Sequence, residues 1–260
     1  MPRLTNIAAA FATGALMSFT HAAHATDTQP TVVLVHGAFA DSGSWNGVIT
    51  KLQSEGYPVI GAANPLRGIK KDARYISSIL DGIKGPIVLV GHSYGGNVIS
   101  NAANGHDNVK ALVYVSAFAP DAGETVAQLA GKFPGSTLGS ALARPVSLAN
   151  GGKDLYIDQT KFHAQFAADV PEDKAKRMAA GQRPITAAAL EEPAGQPAWK
   201  EIPSWFVYGD ADKNIPPQTI KWMAKRARAK EVVEIEGGSH VVMVSHPDVV
   251  ASVIEDAVSK

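Results

Sequence analysis

Three residues set far apart in the chain have the types needed for nucleophilic acyl chemistry: Ser93, Asp212 and His240. Ser93 stands in "VLVGHSYGGNVIS", where Gly91-His92-Ser93-Tyr94-Gly95 closes an apolar run and opens a helical pattern. A sharp strand-to-helix turn strains the backbone at such a serine, and glycines two before and two after remove the Cβ atoms that would clash. The turn lifts the hydroxyl clear of the sheet and sets it at a helix N-terminus, which favours developing negative charge. A serine hydroxyl still needs a base. "EIEGGSHVVMVSHP" supplies His240 in a Gly-rich loop after the last strand-like run. The other histidines fit less well. His246 precedes Pro247 at a helix start, His163 lies in a helical insertion, and His106 is in a polar loop. His36 and His92 sit beside glycines at strand ends, where they orient turns.

The base in turn needs a carboxylate to hold its tautomer and stabilise the imidazolium. "FVYGDADKNIPP" offers Asp210 and Asp212 just past a strand, and Asp121 lies past the preceding one; the role is assigned to Asp212. Acyl transfer also needs donors for the oxyanion. One is the backbone N–H of Tyr94, the residue after the nucleophile. The other falls in "HGAFADSGSW", where Gly37 lets the backbone come close; Ala38 is the expected donor and Phe39 the fallback. Phe39, Tyr94, Phe118, Phe162 and Phe166 are candidate apolar walls for a substrate pocket.

These residues must be positioned by a scaffold, and the hydrophobic pattern describes one. "TVVLVHG", "YPVIGAAN", "PIVLVG" and "VKALVYVSAF" read as strands, and helical stretches separate them. That alternation implies a mainly parallel sheet with helices on both faces. The rhythm breaks after Pro120 and resumes with "SWFVYG", a helix through "PPQTIKWMAKRAR", the strand "EVVEIEG" and a last helix from Pro247. Between them, "DQTKFHAQFAADVPEDKAKRMAAGQRP" reads as short helices, so residues of about 121–200 form a helical cap. Its few large apolar side chains would make a poor separate core, which favours one domain over two.

Composition bounds the remaining possibilities. Hydrophobic content of 45% and charged content of 18% describe a globular chain with a sizeable core. A formal net charge of zero, with no basic block, does not point to nucleic acid or an anionic membrane. The absence of cysteine excludes a cysteine nucleophile and a cysteine-ligated metal. The histidines lack an H-E-x-x-H spacing, so neither metal nor cofactor is expected. Residues 1–25 differ from the rest: Arg3, then "IAAAFATGALMSF", then Ala23-His24-Ala25 have the form of a secretory signal peptide. Residues 26–260 are then the mature domain, exported to the periplasm or secreted.

On "VLVHGAF…GSW", "VLVGHSYGG", "YVSAFAP", "YGDADKNIPP" and "GGSH", in that order, the chain resembles the α/β-hydrolase fold serine esterases across essentially its whole mature length. The resemblance is to the branch holding hydroxynitrile lyases, methyl-ester esterases and many bacterial hydrolases. It implies an α/β fold, a mostly parallel sheet with a helical cap inserted after strand six, and the triad order Ser93, Asp212, His240. It also implies a cofactor-free hydrolase of small or medium carboxylic esters working through an acyl-enzyme. The expected partner is a small-molecule ester; nucleic acid and, after processing, membrane are not expected, and a homodimer is compatible. Lactonase, amidase or perhydrolase chemistry would use the same triad, and a slow-turnover ligand-binding protein would keep the same fold. Hydroxynitrile lyases place a lysine directly after the catalytic histidine, and here that position is Val241, so cyanohydrin cleavage is not expected. Ser93 likewise excludes the aspartate-nucleophile dehalogenases and epoxide hydrolases of this fold.

Overall fold

The computed structural model describes Met1 and residues 29–259; the expected signal peptide lies outside the described residues. Nine strands follow in chain order. They are β1 (Thr31–Val35), β2 (Val59–Ala62), β3 (Ile87–His92), β4 (Val109–Val115), β5 (Val146–Ser147), β6 (Lys153–Leu155), β7 (Ile185–Thr186), β8 (Ser204–Gly209) and β9 (Glu231–Ile235). Six of them form one sheet in the order β2-β1-β3-β4-β8-β9, with every pair parallel.

Burial follows the apolar pattern. Every residue of β3 and all of β4 except Lys110 are buried, as continuous Val, Ile and Leu runs require in a sheet covered on both faces. The edge strand β9 alternates, turning Val232 and Glu234 to solvent and burying Ile235. The helix Pro247–Ser259 packs along β3, β4 and β8 with Asn46–Ser54 beside it. The helix Tyr94–Ala102 packs on β1, β3 and β4 with Ile69–Asp81 beside it. Every residue of Tyr94–Ala102 except Asn101 is buried, because the sheet, its helical neighbour and the cap enclose it.

The strand order decides where chemistry can occur. The chain winds from β1 outward to β2, then crosses back to β3 on the other side of β1. The loops after β1 and β3 therefore diverge from adjacent strand ends, with Val35 paired to Gly91, and leave a crevice between them. The residues expected to hold an oxyanion follow β1, and the serine follows β3. Asp212 follows β8 and His240 follows β9, so all four groups lie past carboxyl ends of one sheet.

The insertion begins after β4 and returns at β8. Counted along the described chain it follows the fourth strand of the sheet, not the sixth, because only four strand-forming runs lie between Thr31 and Pro120. It contains the expected short helices, among them Gln159–Phe166 and Glu172–Gly181. It also holds a small antiparallel sheet, β5-β6-β7, whose strands of two or three residues are too short for a periodicity to register. Phe162, Phe166, Leu129 and Ile157 of the cap join the same hydrophobic cluster as the sheet, so the cap shares one core with it.

Candidate active site

Ser93 adopts φ 54° and ψ −123°, a backbone conformation that costs a side-chain-bearing residue energy and persists only where its surroundings enforce it. The neighbouring glycines show how. A Cβ on Gly91 would stand 2.6 Å from the carbonyl oxygen of Gly95, and one on Gly95 would stand 2.5 Å from that of Val35. The turn thus crosses itself and the end of β1 with no room for side chains. Gly37 brings the other loop in: its Cβ would lie 2.6 Å from that of Ser93. The serine does not project into solvent, being 7% exposed beneath the cap. Its hydroxyl has no hydrogen-bond partner among the described residues and opens into a cavity.

His240 is the base candidate that the fold brings to that cavity. It is 1% exposed, and its Nδ1 lies 2.7 Å from Asp212 Oδ2, so Nδ1 donates and Nε2 is left to face chemistry. The other oxygen of Asp212 accepts the N–H groups of Asn214 and Ile215, at 2.7 and 3.0 Å. One carboxylate therefore fixes both its own loop and the imidazole. The ring is wedged between Phe166, 5.1 Å away, and His92, 4.8 Å away. His92 in turn donates Nε2–H to the carbonyl of His240, tying the serine turn to the histidine loop.

The competing residues are occupied elsewhere. Asp210 accepts the N–H of Gly237, and Asp121 pairs with Lys200 at the surface. His163 bonds the carbonyl of Val170, and His246 faces Asp169. His36 and His92 do orient turns. His36 donates Nδ1–H to the carbonyl of Gly37 and accepts the N–H of Asn64 on Nε2. Burial, opposed by the Gly37 bond, lowers the His36 pKa to about 4, and burial beside His240 holds His92 well below its ordinary value.

A second serine, histidine and aspartate meet at the surface. Ser77 Oγ lies 2.7 Å from His106 Nε2, whose Nδ1 is 3.9 Å from Asp81. Ser77 is in the middle of the helix Ile69–Asp81, where its own N–H serves the helix and no oxyanion donors converge. Asp81 is 73% exposed. This trio has the residue types of a triad without the setting.

Two residues that line the cavity with Ser93 have free backbone donors. The N–H groups of Ala38 and Tyr94 have no acceptor among the described residues, whereas Phe39, the fallback, donates its N–H to the carbonyl of Arg183 in the cap. Phe39 itself sits in the left-handed region, at φ 61°. The Tyr94 hydroxyl donates to Asp72, a wholly buried carboxylate that also accepts the N–H groups of Arg67 and Gly68. That bond anchors the residue carrying one oxyanion donor.

The cavity measures about 70 Å³. Phe39, Tyr94, Phe118 and Phe166 line it, together with Val126, Leu138, Leu190 and Ile215. Phe162 stands behind Phe166, ring centroids 4.9 Å apart, and does not line it. Val126 was within reach of sequence reasoning: Thr125 and Gln128 form a reciprocal capping box that starts its helix. Leu138 and Leu190 gave no signal, because the cap's fold is not periodic. A wider groove of about 380 Å³ lies on the far side of Phe39, lined by Asp41, Asn46, Lys174 and Arg177, and contains none of Ser93, Asp212 or His240.

The family described as "Alpha/beta hydrolase family" matches residues 32–253. The chain belongs to the alpha/beta hydrolase family. It is 27% identical to a protein of Arabidopsis thaliana described as alpha-hydroxynitrile lyase, over 83% of this chain and 92% of the relative. It is 25% identical to a pyrethroid hydrolase of Sphingobium wenxiniae, over 86% of each. Among solved structures, polyneuridine aldehyde esterase superposes with a TM-score of 0.77 at 19% identity, covering 89% of this chain and 100% of that one. The fold and the hydrogen-bonded acid–histidine pair beside a strained serine are those of a carboxylic ester hydrolase of the serine type.

Proposed function

We propose that this protein cleaves small or medium carboxylic esters through an acyl-enzyme on Ser93. The observation that carries the reading is the buried 2.7 Å bond between His240 and Asp212 at the wall of the cavity into which Ser93 opens. His240 Nε2 takes the hydroxyl proton as Ser93 Oγ bonds to the acyl carbon, and the carbonyl oxygen becomes an oxyanion held by the N–H groups of Ala38 and Tyr94. Collapse breaks the bond to the alcohol oxygen, which receives the proton from the imidazolium. Water then repeats the sequence on the acyl-enzyme and releases the acid.

The apolar lining and small volume favour a short, uncharged group in the cavity. The position after the histidine is the wholly buried Val241, so nothing there supplies the cation of a cyanohydrin lyase. We further propose that the first 25 residues direct export and are removed, which N-terminal sequencing of protein from periplasm or medium would test. The activity is tested with p-nitrophenyl esters of increasing acyl length. A burst of nitrophenol followed by steady turnover, both absent in Ser93→Ala, is expected. Binding without turnover would overturn the reading in favour of a ligand-binding protein.

A further inference from the structure

We propose that the cap segment Gln165–Asp169 positions the Asp212–His240 pair, so that the cap sets the catalytic rate as well as walling the pocket. This rests on the assignment of those two residues as catalytic. The segment closes the helix Gln159–Phe166 and reaches both members of the pair independently.

On the acid side, Gln165 Nε2 donates to the carbonyl of Lys213 at 2.9 Å and to Asn214 Oδ1 at 3.3 Å, while Asn214 Nδ2 donates back to the carbonyl of Gln165. Asn214 is the residue whose N–H holds Asp212 Oδ1. Thr137 Oγ1, also from the cap, donates to Gln165 Oε1 and fixes which way the amide points. Every polar atom of the Gln165 side chain is thus used, and the residue is buried.

On the base side, Asp169 Oδ1 accepts the hydroxyl of Ser239, the residue directly before His240, at 2.5 Å. Its other oxygen lies 3.3 Å from His246 Nε2, beyond the short helix that follows the histidine. Burial pushes the Asp169 pKa up, but hydrogen bonding, led among the donors by the Ser239 hydroxyl, outweighs it and holds the carboxyl below its ordinary range, as an anion able to accept. Between the two arms, Phe166 lies against the His240 ring. The histidine and aspartate loops come from different strands, and the segment joins them from above.

Misplacing a base by a fraction of an ångström lowers the rate without weakening ground-state binding. Asp169 and Gln165 touch no reacting atom, so they are positioning residues. Their removal should act on kcat, and that of Asp169 should act through Ser239.

The test is steady-state kinetics on the full mature chain with its best p-nitrophenyl ester. Asp169→Ala and Ser239→Ala should each lower kcat by roughly 10- to 100-fold with KM changed less than about threefold. The double variant should lose clearly less than the product of the two single losses, because both substitutions break the Ser239–Asp169 bond. Asp169→Asn keeps an acceptor for Ser239 and should recover most of the rate, which also carries the test if Asp169→Ala fails to fold. Gln165→Leu should lower kcat likewise, whereas Lys161→Ala, an exposed position on the same helix, should not. Unchanged kcat with altered KM or acyl preference would make the segment a wall only and overturn the proposal, as would additive losses in the double variant. Ser93→Ala separates the two levels: if it keeps turnover the catalytic assignment fails, and if it alone is inactive only the cap inference fails.

Discussion

Asp212 binds His240 with one carboxylate oxygen and the backbone of its own loop with the other. Both oxygens face donors, so an amide cannot serve both sides. In Asp212→Asn either the NH₂ group faces Nδ1 and forces the wrong tautomer, or it faces two N–H groups that then lack an acceptor. Turnover should fall by roughly 10⁴-fold, the scale of the corresponding change in a serine protease, with substrate binding little altered. Asp210→Asn and Asp121→Asn should stay within about threefold of the parent, since their partners are Gly237 and a surface lysine. A reversed ranking in kcat would move the acid to one of those positions.

Acid should unfold this protein through its buried neutral histidines. The His36 pKa is about 4 in the folded chain against 6.5 for the free side chain, and His92 shifts in the same direction. Between those values the unfolded chain binds protons that the folded chain refuses, so the stabilisation is complete above about pH 6.5 and is lost toward pH 4. For His36 alone the full effect is on the order of 3 kcal/mol, about 2 kcal/mol of it already lost by pH 5. Urea midpoints measured at pH 7 and pH 5 should show this loss, and His36→Gln should make the dependence shallower. Equal stability of the parent at both pH values would contradict it.

The sheet and the serine turn were legible because each rests on a local signal. Apolar runs of strand length separated by helical spacing identify parallel strands, and G-x-S-x-G at a seam identifies the turn. His240 and Asp212 were legible because their loops follow strand-like runs that must end on the same side as Ser93. The cap was not legible in detail. Gln165 and Asp169 reach their partners across 49 and 70 residues of sequence, and no spacing announces contacts of that range. The choice of Ala38 over Phe39 as the free donor depends on the Arg183 carbonyl, which only the folded cap brings within reach. Ser93 was expected to stand clear, and it does stand above the sheet, but the cap encloses it.

Acyl-chain preference should respond to the walls that the cap contributes. Leu138 and Leu190 line the cavity from separate cap helices and are only partly buried, so shortening either leaves space that substrate can fill. Leu138→Ala and Leu190→Ala should each move the best acyl length upward and raise KM for the shortest ester. Each removed methylene in contact is worth roughly 1 kcal/mol of binding, or several-fold in kcat/KM. A series of p-nitrophenyl esters reads this directly, and an unchanged optimum in both variants would place the acyl group elsewhere.

Ser93 itself combines catalysis with strain, and substitution can separate the two. Ser93→Ala keeps the Cβ and therefore the cost of φ 54°, so its stability should match the parent while turnover falls by roughly 10⁶-fold. Serine-directed phosphonates should label the parent at this residue and not label the variant. Ser93→Gly removes the Cβ that crowds Gly37 and adopts the same backbone freely. Relief of about 1–3 kcal/mol of strain exceeds the added entropy of a more flexible unfolded chain, which is below about 1 kcal/mol. The glycine variant should therefore be inactive and more stable than the alanine variant by roughly 1 kcal/mol, measured by urea denaturation at neutral pH. A glycine variant less stable than the alanine variant would show that the turn holds no strain, and that the surrounding glycines serve close packing alone.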